Sequence, residues 1–237
     1  MEKGNGTDYY AAKLSAERLR EVYDVASPRV RRYLRSEIDF ARSWIEPGDD
    51  VLELGCGYGR VAFELARSAG RVVGIDTSPE SLELARTLAG TDSRCEFLEM
   101  DAANLAFGDG EFDVVVCVQN GICAFRVDAA RLVREALRVT RAAGRVLFST
   151  YAAEFWPHRL AWFEAQAAAG LLGEIDHEKT GNGTIVCKDG FRTGALDPDE
   201  LAALGRAVGI EPAITEVDGS SVFAVWHVPR QASGVQP

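Results

Sequence analysis

Apolar positions along the first fifth of the chain recur at helical spacing. From Tyr9 to about Trp44 they fall at Leu14, Leu19, Val22 and Tyr23, then at Val30, Tyr33, Leu34, Ile38 and Ala41. Two helices are predicted, the second opened by Pro28 with Ser27 as its cap. Glu46-Pro47-Gly48-Asp49-Asp50 is a turn. Beyond it the period changes. Short apolar runs at Asp50–Leu54, Arg71–Ile75, Cys95–Glu99, Phe112–Val118 and Arg145–Thr150 predict five strands. Helical stretches separate most of them: Val61–Ala69, one capped by Ser78 with Pro79 at its first position, and about Asp128–Thr140, stopped at Gly144. Nearly continuous apolar strands alternating with helices predict a parallel sheet covered on both faces.

The last third has a different texture. Tyr151 to Ala169 reads as an aromatic-rich helix, followed by a glycine-rich patch. Thr184–Cys187 and Phe191–Thr193 flank Lys188-Asp189-Gly190 as a hairpin. Asp197-Pro198-Asp199-Glu200 opens a further helix, Ser221–Val228 is a final strand, and the tail after Pro229 is expected to be disordered. The expected organisation is a single domain: residues 1–45 an N-terminal helical lid, 48–150 a ligand-binding core, 151–195 an insertion after the fifth strand, and 196–229 a closing helix and strand.

Composition narrows the function classes. At 237 residues and 47% hydrophobic, the chain supports one substantial core. No run approaches the roughly 18–20 apolar residues of a membrane helix, and the N-terminus has no apolar signal core, so a cytoplasmic protein without a membrane partner is expected. A net charge of −10 disfavours nucleic acid as a partner. Arg29, Arg31, Arg32 and Arg35 cluster but are followed at once by acids, which reads as a solvated helix face. The five cysteines (Cys56, Cys95, Cys117, Cys123, Cys187) form no CxxC pair and read as small buried hydrophobes; no metal site is expected.

The sharpest chemical signal is Val51-Leu52-Glu53-Leu54-Gly55-Cys56-Gly57-Tyr58-Gly59-Arg60. Glycines after a buried strand let the backbone turn tightly and approach a ligand. A dinucleotide fingerprint would place its third glycine at position 60, which is arginine; glycine stands one residue early, at Gly59. That variant, with the acid Glu53 two residues before the first glycine, resembles the first motif of class I S-adenosylmethionine-dependent methyltransferases. Asp76 at the end of the second strand, Asp101-Ala102 after the third, and Phe112-Asp113-Val114-Val115-Val116 resemble that family's next three landmarks, in order, over about residues 48–150.

The resemblance implies an α/β fold: a Rossmann-like, seven-stranded, mostly parallel sheet flanked by helices. It implies S-adenosyl-L-methionine as cofactor and S-adenosyl-L-homocysteine as product. The implied cofactor residues are Glu53, Gly55, Cys56, Gly57, Gly59, Asp76 with Thr77, Asp101, Ala102 and Gln119. Asp76 would meet the ribose hydroxyls and Asp101 the adenine amino group. Cys56 is a space-filler rather than a nucleophile, and Arg60 a surface or lid-pairing residue rather than a ligand.

Acceptor chemistry should gather beyond the carboxyl ends of the strands. That points to Gln119-Asn120-Gly121 and Tyr151, with Tyr9 and Tyr10 on the lid and Trp156 and Arg159 in an acceptor wall. His158 is the general-base candidate, since an imidazole titrates near neutrality. The expected partner is a small molecule methylated on O, N or S, with the protein a monomer or homodimer. Three alternatives stay open: a protein or peptide acceptor, a thiophilic acceptor beside Cys117, Cys123 and Cys187, and a cofactor-binding protein without transfer. A nicotinamide-dependent oxidoreductase is disfavoured by the glycine spacing.

Overall fold

The computed structural model describes residue 9 and residues 13–230. Its elements run α1 (Ala16–Asp24), α2 (Pro28–Arg42), β1 (Asp50–Leu54), α3 (Arg60–Leu65), β2 (Arg71–Asp76), α4 (Pro79–Ala89), β3 (Cys95–Glu99), β4 (Phe112–Cys117), α5 (Gly121–Ala124), α6 (Ala129–Val139), β5 (Thr140–Tyr151), α7 (Trp156–Ala168), β6 (Ile185–Val186), β7 (Arg192–Thr193), α8 (Pro198–Val208), β8 (Ala213–Val217) and β9 (Ser221–His227). Seven strands form one sheet in the order β3-β2-β1-β4-β5-β9-β8. β1 to β5 pair in parallel, whereas β9 is antiparallel to both β5 and β8.

Alternate strand residues face two separate cores. Leu52, Leu54, Val73, Ile75, Val115 and Val146 pack with Leu132, Val133 and Ala136 of α6 and Leu201 of α8. Their neighbours Val51, Val72, Val114, Val116 and Leu147 pack with α2, α3 and α4 on the opposite face. Burial on both faces is what the continuous apolar runs require. Ser27 and Ser78 cap α2 and α4 by accepting from Val30 N and Ser81 N, each with proline next, as their sequences predict.

Two elements depart from the expected pattern. β5 begins at Thr140 rather than Arg145: Thr140 pairs with Phe112, and the register shifts before Val114 meets Arg145. Gly144 sits where the backbones crowd, since a Cβ there would lie 2.7 Å from Asp113 O. The glycine read as a helix stop thus marks a bulge inside the strand. β8 has no counterpart in the five-strand, hairpin and final-strand reading. It is an edge strand with no buried residue, so it leaves no apolar run.

A third cluster lies off the sheet and joins the N-terminal segment to the insertion, through Tyr9, Leu14, Val22, Val30 and Tyr33 on one side and Tyr151, Phe155, Trp162, Ile185 and Phe191 on the other. Polar bolts reinforce it. Trp162 Nε1 donates to Val22 O (2.9 Å), Arg18 Nη2 to Gly170 O (2.8 Å) and Tyr9 OH to Asp189 Oδ2 (2.7 Å). Ala16 N donates to Ser81 Oγ on α4 (2.9 Å), so α1 bridges the insertion and the sheet's helical layer.

The arginine cluster of α2 is not simply solvated. Arg29 pairs with Asp218 at 2.8 Å and donates to its carbonyl, and Arg32 pairs with the same carboxylate. Asp218 occupies the β8–β9 turn with φ +57° and a side chain only 7% exposed. Removing it strands Arg29 against Phe155. Asp218→Ala is therefore expected to lower unfolding stability by about 1–3 kcal/mol in urea titrations; an unchanged midpoint would show that this junction holds nothing.

Candidate active site

The sheet order reverses between β1 and β4, and a cavity opens there beyond the carboxyl ends of the strands, as open α/β sheets favour. Its floor is the turn after β1. Gly55, Gly57 and Gly59 all have positive φ (+75°, +52° and +86°), a backbone that L side chains resist. Gly55 N and Cys56 N both donate to Ile75 O at 2.8 and 2.9 Å, tying the turn to β2. Gly57 N donates to Asp76 Oδ2 (2.8 Å), and Ser78 N donates to Asp76 Oδ1 (2.9 Å). One carboxylate therefore locks the glycine turn to the cap of α4.

The cavity wall runs from Asp76, Thr77 and Ser78 to Met100, Asp101 and Ala102 on one side. On the other it runs through Val118, Gln119, Gly121 and Phe125, with Glu53, Tyr58 and Arg60 behind and Leu14, Leu19 and Tyr23 above. Asp101 is held in an Asx turn by Ala103 N (2.8 Å). α1 supplies the cover: Tyr23 OH donates to Gln119 Oε1 (3.2 Å), and its ring lies 4.2 Å from the Arg60 guanidinium.

The electrostatics of this end are set by burial. The Glu53 carboxyl is pushed up to about 8, first by burial, with Asp76 adding and Arg60 opposing. The Cys56 thiol and the Tyr58 phenol are also raised by burial, so neither supplies an anion near neutrality. Four buried polar atoms on the cavity wall have no protein partner: Glu53 Oε2, Arg60 Nε and Nη2, and Gln119 Nε2. Uncompensated buried polar groups cost free energy, so this cluster marks where a polar ligand belongs.

Residues 51–144 match a family model described as a methyltransferase domain. The matched segment is a class I methyltransferase domain. Among similar proteins, a 2-methyl-6-phytyl-1,4-hydroquinone methyltransferase from Synechocystis sp. is 36% identical over 49% of this chain and 39% of its own length. A ubiquinone biosynthesis O-methyltransferase from Ralstonia nicotianae is 30% identical over 70% of this chain and 64% of its own. The chain thus spans less than two thirds of these curated relatives. Among solved structures, PH0226 protein from Pyrococcus horikoshii OT3 matches with a TM-score of 0.65 at 21% identity, covering 94% of this chain and 100% of that one. A DhpI–SAH complex matches with a TM-score of 0.63 at 22% identity, covering 94% and 95%. At these identities the two structures establish the fold.

Within this methyltransferase domain, Glu53, Gly55, Cys56, Gly57, Asp76, Thr77, Asp101, Ala102 and Gln119 all lie on one cavity wall. Gly59 does not; it caps α3, where a Cβ would meet Phe97 at 2.8 Å. The expected acceptor wall is not there either. Tyr151 stacks on Phe155 within the third cluster, and Trp156 is half-buried away from the cavity. Arg159 is fully buried beneath Tyr151 and donates to Gly183 O and Gly194 O (both 2.8 Å). It holds the insertion together and does not line the cavity.

His158 is on the outer, exposed face of α7, because Arg159, Trp162, Phe163 and Gln166 take the inner stripe. It does not line the cavity. Asn120 is buried and spans Thr150 Oγ1 and Gly194 O, outside the cavity. Tyr9 is spent on Asp189, and Tyr10 lies outside the described residues. Cys117, Cys123 and Cys187 do not line the cavity, and no metal-binding cluster occurs among the described residues.

The residues that sequence reasoning missed are Leu19 and Tyr23 as cover, Phe125, Arg60 and, behind the wall, Glu37. Glu37 occupies the buried stripe of α2 with Leu34 and Ile38, and accepts from Gln119 N at 2.8 Å. An acid at a core position was the available signal. It holds the Gln119-Asn120 turn, whose two residues both have positive φ.

Burial lifts the Glu37 carboxyl from 4.5 to about 7, against the hydroxyls of Ser221 and Ser149, the Gln119 N–H and Arg60. Since the protonated form is the better buried one, its contribution to stability is complete below about pH 4.5 and is lost as pH rises through 7. Glu37→Gln should remove about 3 kcal/mol of the fall in unfolding free energy between pH 5 and 8. Equal pH slopes for the two proteins in urea titrations would contradict this.

Proposed function

We propose that this chain is an S-adenosylmethionine-dependent methyltransferase acting on a small organic acceptor at oxygen, nitrogen or sulfur. One observation carries the reading: a single cavity gathers the glycine turn, Asp76 and Asp101 with a cluster of buried polar atoms lacking partners. The residues fit the cofactor. Glycine is required at 55 and 57, where a Cβ would meet Phe125 at 2.9 Å and Leu19 at 2.7 Å, so that the turn and these two cavity-lining side chains come together. Asp76 is fixed by two N–H donors and faces the ribose position, where a carboxylate accepts from paired hydroxyls. Asp101 and the main chain of Ala102 serve the adenine edge. Gln119 and Tyr23 border the end where the acceptor enters.

When bound, the cofactor supplies a methyl group already activated on a sulfonium. The chain's own part is to orient the acceptor in line, to exclude water beneath α1, and to leave the acceptor's lone pair available. Among the described residues that line the cavity there is no histidine, and the Cys56 and Tyr58 protons are held tightly. This favours acceptors that need little help in losing a proton; one relative carries the name of a hydroquinone methyltransferase.

Calorimetry with S-adenosylmethionine, S-adenosylhomocysteine and NAD tests the cofactor. Binding of both sulfur nucleosides, with Asp76→Ala about 10–100-fold weaker, is expected; affinity for NAD alone would overturn the reading. Transfer of labelled methyl to a panel of phenols, hydroquinones, amines, thiols and carboxylates then separates an enzyme from a non-catalytic binder. His158→Ala should leave kcat unchanged at every pH.

A further inference from the structure

Gln119 and Asn120 are consecutive non-glycine residues in the left-handed region, with φ +57° and +61°. Such backbone costs free energy and persists only where its surroundings fix it. The two halves of the turn are fixed differently. Asn120 is held from outside the cavity: Thr150 Oγ1 donates to its Oδ1 at 2.9 Å, and its Nδ2 donates to Gly194 O at 3.0 Å. Gln119 is held from behind, its N–H shared between Glu37 Oε2 (2.8 Å) and Ser149 Oγ (2.9 Å). The Gln119 side chain thereby stands on the cavity wall. There Tyr23 OH donates to Oε1, which leaves Nε2 as the free end of the amide, and Nε2 is buried with no partner. A buried N–H donor without an acceptor is costly, and a ligand in the cavity is what can supply one.

We infer that Gln119 is a specificity-determining residue for the acceptor, its Nε2–H donating to an acceptor oxygen, and that Glu37 is the positioning residue that keeps it there. This rests on the methyltransferase reading above and narrows its acceptor. The oxygen that Gln119 meets is not the atom that takes the methyl: a donor on the attacking atom would lower its nucleophilicity, so the amide serves a second position of the same molecule. The wall around it is apolar, with Leu14, Leu19 and Phe125 beside Tyr23. The acceptor class is therefore an apolar molecule bearing an oxygen apart from its reacting atom. Glu37 acts through a hydrogen bond and not through its charge, since its carboxyl keeps a lone pair for the Gln119 N–H whether protonated or ionised.

Two probes of nearly equal size isolate that oxygen: 4-methoxyphenol and 4-ethylphenol, each with a phenol hydroxyl as the reacting group. Calorimetry on the full chain saturated with S-adenosylhomocysteine should show 4-methoxyphenol binding about 5–10-fold more tightly. Gln119→Met keeps the length and removes the donor. It should bring 4-methoxyphenol down to the affinity of 4-ethylphenol and leave the latter within about twofold. Glu37→Gln, which still accepts from the Gln119 N–H, should keep the preference, and Glu37→Leu should lose it. Equal affinity of the unaltered complex for the two probes, no affinity for either, or a Gln119→Met variant that weakens both in parallel overturns the assignment of Gln119. A preference that survives in Glu37→Leu, or is lost in Glu37→Gln, overturns the positioning role. If the chain does not bind S-adenosylhomocysteine at all, the methyltransferase reading itself fails, a result distinct from these.

Discussion

Between β1 and α3 the chain must reverse direction within five residues while leaving its own backbone open to a ligand. Left-handed geometry at Gly55, Gly57 and Gly59 makes the reversal possible, and the Asp76 carboxylate makes it rigid by accepting from Gly57 N and Ser78 N. Most of what surrounds the site depends on that lock. It fixes β1 to β2 at their carboxyl ends, sets where α3 and α4 begin, and leaves a cavity at the switch point of the sheet. A side chain at either of the first two glycines would collide with Phe125 or Leu19, which line the cavity. The same compactness raises the Glu53 carboxyl, because the strand that delivers it is buried on both faces.

The cover over this cavity belongs to a different structural unit from its floor. The N-terminal segment is bolted to the insertion by the Trp162, Arg18 and Tyr9–Asp189 contacts, and α1 to the sheet's helical layer by the Ala16 N–Ser81 Oγ hydrogen bond. Its apolar face completes a cluster that also takes up Tyr151, Phe155 and Phe163. The aromatic residues after β5 are therefore consumed in holding the cover, and Leu19 and Tyr23 are what the cavity meets. In the proposed function the glycine side binds the nucleoside and the covering side borders the acceptor end.

The core was legible because its chemistry is local. Strand runs, serine and proline caps, glycine spacing and the acids at the strand ends each express a rule acting within a few residues, and they fall where the sequence places them. β8 was not legible, since an exposed edge strand need carry no apolar run. The bulge at Gly144 looked like a helix stop because both use a residue without a Cβ. Acceptor-side reasoning failed at His158, Tyr151, Trp156 and Arg159 for a shared reason. Nearness to a strand end does not say which face of the next helix turns inward, and here the inner stripe packs on α1 and α2. Glu37 and Arg60 were underweighted because a charge is ordinarily read as solvent-facing, and only long-range packing shows that these two are enclosed.

The central claim is that the glycine turn, Asp76 and the α1 cover surround one sulfur nucleoside. Hydrogen–deuterium exchange, with and without saturating S-adenosylhomocysteine, tests it directly across the whole chain. The account predicts slowed exchange confined to peptides spanning residues 53–61, 74–79, 98–104 and 118–125, together with residues 16–25 of the cover, and little change in the hairpin at 185–193. Protection centred elsewhere, or none in the glycine turn at saturation, would contradict it.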